Sequence, residues 1–153
     1  MVSALKEDSS GTYRFQSDRV RRKSPMVILA TPDAKARRAM HDHLTESGLT
    51  VVDASSLDEV VPLAERFFAD IAVIDVDGFG AGALGVARQL RAGQRTAAIA
   101  LTRTARPSVV TFTENAGFAA VLEAPCEPET LFTEIVVALA AAEEAESLRS
   151  GNR

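Results

Sequence analysis

Ile71-Ala72-Val73-Ile74-Asp75-Val76 is an unbroken apolar run that carries one carboxylate near its end. It lacks the alternation of a half-exposed strand and is too short for a helix. It therefore reads as a strand covered on both faces. The turn cluster Asp77-Gly78-Phe79-Gly80 comes directly after it.

Four similar runs flank it: Met26-Val27-Ile28-Leu29-Ala30, Leu49-Thr50-Val51-Val52-Asp53-Ala54, Thr96 to Thr102, and Phe118 to Leu122. Helical spacing fills the gaps. Ala36, Ala39, Met40 and Leu44 share one side of the first gap, which Gly48 ends. Thr31 is expected to cap that helix with Pro32 at its first position, where a missing N–H costs nothing. Ser55 or Ser56 caps a second helix, in which Pro62 forces a kink or a later start. Further helices are expected over Ala83–Arg91, Arg106–Ala116 (stopped by Gly117) and about Glu129–Leu148.

Strands and helices thus alternate five times. Short apolar strands between amphipathic helices require a parallel sheet with helices on both faces. The predicted fold is α/β, a five-stranded doubly wound sheet of flavodoxin-like type. In that architecture a site lies beyond the C-terminal strand ends. The residues placed there are Thr31-Pro32-Asp33, Ala54-Ser55, Asp75-Val76-Asp77, Thr102-Arg103 and Glu123-Ala124-Pro125.

Composition narrows the function. The 153 residues suit one domain, expected over 25–142. A formal charge of -4 argues against sequence-independent nucleic-acid binding, which needs a cationic surface. One Cys excludes an internal disulfide, and His41 and His43 leave little for a metal. No apolar run approaches the roughly 20 residues that span a bilayer, and Lys6, Glu7 and Asp8 interrupt any signal-peptide core. A cytoplasmic location without membrane attachment is expected. Residues 1–24 are polar, with Arg19, Arg21, Arg22 and Lys23 clustered, and read as a flexible arm. Residues 143–153 read as a charged, fraying helix end.

The strand ends carry a resemblance. A carboxylate closing a central strand, Asp75, beside a hydroxyl closing the next, Thr102, resembles the receiver domain of two-component response regulators over roughly residues 26–142. The resemblance makes Asp75 the candidate phosphoacceptor, Thr102 the switch hydroxyl, and Gly117 to Pro125 the fifth strand with its closing X-Pro turn. It also implies Mg²⁺ held by the acceptor and an acidic pair, a lysine after strand five, and an aromatic switch residue on that strand. Here those positions hold Thr31 and Pro32, Ala124 and Val121. Asp33 falls one residue late, and Asp77 lies beyond a different strand.

A hard cation wants several oxygen ligands, and phosphoryl transfer rests on electrostatics around the metal. The expectation is a pseudo-receiver that is not an enzyme, with no cofactor and weak Mg²⁺ binding at most. It would act by binding a histidine kinase or another signalling protein, with a homodimer possible and no DNA-binding output module. The expected face joins the fourth helix, the fifth strand and the last helix, through Arg106, Val109, Val110, Phe112, Phe118, Glu134 and Val137. Two alternatives stay open. Asp75 is a genuine phosphoacceptor, or the strand-end pocket senses a small anion or nucleotide.

The remaining residues read plainly. His41 and His43 are solvated helix residues, and Cys126 is a small filler. Gly78, Gly80 and Gly82 form a turn. A phosphate-cradling loop would need such glycines after the first strand.

Overall fold

The computed structural model describes residues 24–93 and 95–151. The expected arm lies outside them except for Ser24, whose Oγ donates to the Gly48 carbonyl at 2.7 Å.

Five strands form one parallel sheet: β1 (Met26–Ala30), β2 (Thr50–Ala54), β3 (Ile71–Asp75), β4 (Ala97–Thr102) and β5 (Phe118–Glu123), in the order β2-β1-β3-β4-β5. The central strands are apolar up to their last residues, Asp75 in β3 and Thr102 in β4, because both faces are covered. Val27, Leu29, Ile71, Val73, Ile99 and Leu101 join Met40 and Leu44 of α1 (Ala34–Glu46) and Leu131 and Ile135 of α6 (Pro128–Gly151). Ile28, Ala30, Ala72, Ile74, Ala98 and Ala100 meet Val60 and Ala64 of α2 (Val60–Phe67) and Ala83, Ala87 and Leu90 of α4 (Gly82–Gly93). Alanines dominate this second layer, so its helices approach the sheet closely. A four-residue turn of helix, α3 (Val76–Phe79), extends from β3, and α5 (Pro107–Asn115) precedes β5.

Local chemistry explains most boundaries. Gly48 takes a φ of +100°, and the Leu49 and Gly48 amides donate to the Leu44 and Thr45 carbonyls, which closes α1 as a Schellman turn. Pro62 sits in the first turn of α2, where no intrahelical acceptor waits for its absent N–H. A 3₁₀ turn over Leu57–Glu59 leads into that helix, so the start shifts and no kink forms. The end of α6 stays helical to Gly151, since Ala, Glu and Leu are strong helix formers. Among the described residues no helix is long and apolar enough to cross a membrane.

One expectation is corrected at the first helix. Asp33 caps α1, accepting from the Lys35 and Ala36 amides at 3.1 Å each. Thr31 does not cap it and Pro32 is not its first residue. The Asp33 carboxylate is the stronger acceptor for orphan amides, and the Thr31 hydroxyl is drawn elsewhere.

Candidate functional site at the strand ends

Register sets the site. Ala30 pairs with Ile74 and Asp75 with Leu101, so Thr31, Asp75 and Thr102 come out together at one edge of the sheet. Thr31 is 2% exposed and Thr102 5%. Buried hydroxyls need partners, and both find carboxylates.

Thr31 Oγ1 donates to Asp75 Oδ2 at 2.9 Å. The other oxygen, Oδ1, accepts from the Gly78 amide at 2.8 Å and so caps α3. Gly78 is there of necessity. A Cβ on it would lie 2.5 Å from Asp75 Oδ2 and 2.9 Å from Pro32 Cδ. There is thus no room for a side chain at position 78 between Asp75 and Pro32.

The second carboxylate, Asp77, uses Oδ2 to accept from Thr102 Oγ1 at 3.1 Å and from the Arg103 amide. The Ala124 amide donates to the Thr102 carbonyl at 2.7 Å, just before the cis Ala124–Pro125 bond. Ala124 is half-buried and offers no charge. Asp33 Oδ1 is engaged in the cap of α1.

The chain's own cation enters from the other side. Arg37 Nη1 donates to the Thr31 carbonyl at 2.5 Å, and its Nε lies 3.8 Å from Asp53 Oδ2. Asp53 Oδ1 also pairs with His41 Nδ1 at 2.9 Å. His41 is therefore tied to β2, which corrects the expectation of a solvated residue. Arg37 and Asp53 went unnoticed in the sequence because their partners lie on other elements. His43 makes no comparable contact to the site.

A hard divalent cation takes lone pairs from several oxygens in near-octahedral array. Of the positions that the resemblance assigns to metal ligands, Asp75 carries a carboxylate, and Thr31 and Pro32 stand at the acidic pair. Among the described residues no three His, Cys, Asp or Glu side chains gather as a metal cage.

On the face expected to meet a partner, Phe112 is 61% exposed and Val137 57%. Arg106 is exposed there, and Val109, Val110 and Glu134 are half-buried. Phe118 is corrected: at 3% exposed it packs in the core against the α2 and α4 layer. Val121 is half-buried against the same layer. Near this end of the sheet, Cys126 is half-buried, and burial, with Glu127 beside it, raises its thiol pKa above the usual range.

No protein-family model and no curated protein matches the sequence. Solved structures do match in shape. The signal receiver domain of a Vibrio parahaemolyticus protein superposes with a TM-score of 0.73 at 14% identity, over 82% of this chain and 97% of that one. A CheY-like response regulator receiver domain protein from Methanospirillum hungatei gives 0.70 at 21% identity, over 80% and 99%. The chemotaxis response regulator CheY4 of Vibrio cholerae gives 0.70 at 19%, over 76% and 99%. The chain has the receiver fold.

Proposed function

We propose that this chain is a receiver-like signalling module that works by binding another protein, and that Asp75 serves the structure of the strand ends in place of metal-assisted phosphoryl transfer. One observation carries the reading. Each oxygen of Asp75 already accepts an internal hydrogen bond, from Thr31 Oγ1 and from the Gly78 amide. A developing phosphoryl charge needs cations nearby. Thr31, Pro32 and Ala124 supply neither a metal ligand nor a cation.

The binding surface is the exposed side of α5 with the adjoining part of α6. Phe112, Val136 and Val137 are large apolar side chains in water, and Arg106 stands at the start of α5. Aromatic and Arg anchors of this kind dominate interface energetics. The partner in this reading is a histidine kinase or another signalling protein.

The test is incubation with acetyl phosphate and Mg²⁺, and separately with a phosphorylated kinase, with intact-mass measurement afterwards. The expected result is an unchanged mass. A phosphoryl adduct that disappears in Asp75→Ala would return the site to phosphoacceptor chemistry.

A further inference from the structure

Asp77 has no part in the binding-face reading, yet it joins the turn after β3 to the turn that leads to α5. Its Oδ2 accepts from Thr102 Oγ1 and from the Arg103 amide. Thr102 is the last residue of β4, so one oxygen takes the side-chain and main-chain donors where the chain leaves the sheet. Hydrogen bonds to a carboxylate are roughly twice as strong as neutral ones.

Beyond that contact the chain is loosely held. The Thr102–Thr104 contacts are 3.4 Å in both directions, and the Ala105 amide lies 3.4 Å from Glu123 Oε1. These are at the long limit for a hydrogen bond. Arg106 caps α5 without a side-chain bond, and within α5 only Thr113 is buried. The Thr113 hydroxyl is spent on the Val109 carbonyl at 2.7 Å. The helix is short and rich in β-branched residues, which favours helix poorly. It packs along β5, and Asp77 bonds to the turn that leads into it.

The Asp75 backbone pairs with Leu101 of β4, while its carboxylate bonds Thr31 and Gly78. The two carboxylates divide the turn after β3 between them: Asp75 ties it to β1 and Asp77 ties it to β4.

We propose that Asp77 is a positioning residue, a built-in anion that holds the turn from β4 to α5, and with it the exposed Arg106–Phe112 surface, in one arrangement that requires no group added at Asp75. The consequence for signalling rests on the binding-face reading; the clamp itself does not.

The experiment is residue-resolved amide hydrogen exchange on the full chain, in Asp77→Ala, Asp77→Asn, Thr102→Val and Asp75→Ala. In Asp77→Ala the Arg103 amide is expected to exchange about tenfold faster or more, with β1 and β3 still protected. Asp77→Asn keeps a carbonyl oxygen that accepts, and is expected to recover most of that protection. Asp75→Ala is expected to leave Arg103 within about twofold of wild type. An unchanged Arg103 in Asp77→Ala, or equal loss in Asp75→Ala, overturns the proposal. If Asp77→Ala loosens the whole core, Thr102→Val decides: faster exchange confined to Arg103–Ala105 supports the clamp, and no change there overturns it. Kinase capture is measured in parallel on wild type. Failure of capture with the exchange pattern intact removes the binding-face reading and leaves the clamp standing.

Discussion

Thr31 Oγ1 lies 2.9 Å from Asp75 Oδ2, a bond between residues 44 apart in sequence that joins the ends of β1 and β3. In the proposed reading, a neutral hydroxyl stands here where the resemblance implies a carboxylate ligand. Titration with Mg²⁺, monitored by calorimetry or amide shifts, is therefore expected to show no saturable binding in the sub-millimolar range. Sub-millimolar affinity that disappears in Asp75→Ala would overturn this.

Asp75→Asn removes the charge while keeping the shape. Hydrogen bonds to a charged group contribute about 1.5–3 kcal/mol, and the amide retains part of that. Urea unfolding is expected to show a loss of about 1–2 kcal/mol with the fold intact. Partner capture is expected to persist. Loss of capture in a well-folded Asp75→Asn protein would favour the phosphoacceptor reading.

Gly78→Ala tests the close packing against Asp75. The added Cβ would stand 2.5 Å from Asp75 Oδ2 and 2.8 Å from its Cγ, with Pro32 Cδ at 2.9 Å on the other side. Neither neighbour is the free end of a flexible chain. Overpacking of this kind costs about 1–3 kcal/mol, so the melting temperature should fall. A variant as stable as wild type would mean the carboxylate can swing away freely.

Cys126 gives a pH-dependent readout. Burial, with Glu127 beside it, disfavours the thiolate in the folded state, which raises the pKa above its unfolded value. The folded protein binds this proton more tightly than the unfolded chain. The associated stability is therefore complete below the unfolded pKa and is lost as pH rises through the folded one. Iodoacetamide should label Cys126 slowly at pH ~7 and faster as pH climbs past the ordinary thiol range. Equal rates in folded and urea-unfolded protein at neutral pH would contradict it.

The fold was legible because its signals are local. Met26–Ala30, Ile71–Asp75 and Ala98–Leu101 are apolar without alternation, and Gly48 and Pro62 mark helix limits by backbone geometry alone. The site was only half legible. Position along the strands brought Thr31, Asp75 and Thr102 together, but the hydrogen bonds depend on partners far away in sequence. Thr31-Pro32 is a good local cap signal, and it lost to Asp33 because Thr31 had the half-buried Asp75 carboxylate to meet. His41 found Asp53 on the neighbouring strand, which helix spacing cannot show. Phe118 opens the run Phe118–Leu122, which is apolar without alternation, so the pattern left its facing direction open, and it turned inward.

In the proposed reading the working surface is what α5 leaves exposed. Phe112 stands 61% exposed on a helix with one buried side chain, so its apolar area contributes nothing to the core. Arg106 stands before Pro107, at the end of the turn that Asp77 anchors. Charge placed here should repel an apolar partner surface without disturbing packing. Arg106→Glu, Val110→Glu and Phe112→Glu are expected to weaken capture of the kinase partner by about 1–3 kcal/mol each. Phe112→Glu and Arg106→Glu should barely move the melting temperature, since exposed positions tolerate substitution. Val110 is half-buried, and its variant should show a modest decrease. Calorimetric titration against the partner separates the cases. If all three variants bind as wild type while Thr31→Ala or Asp75→Ala abolishes binding, the contact surface is the strand-end site and not α5.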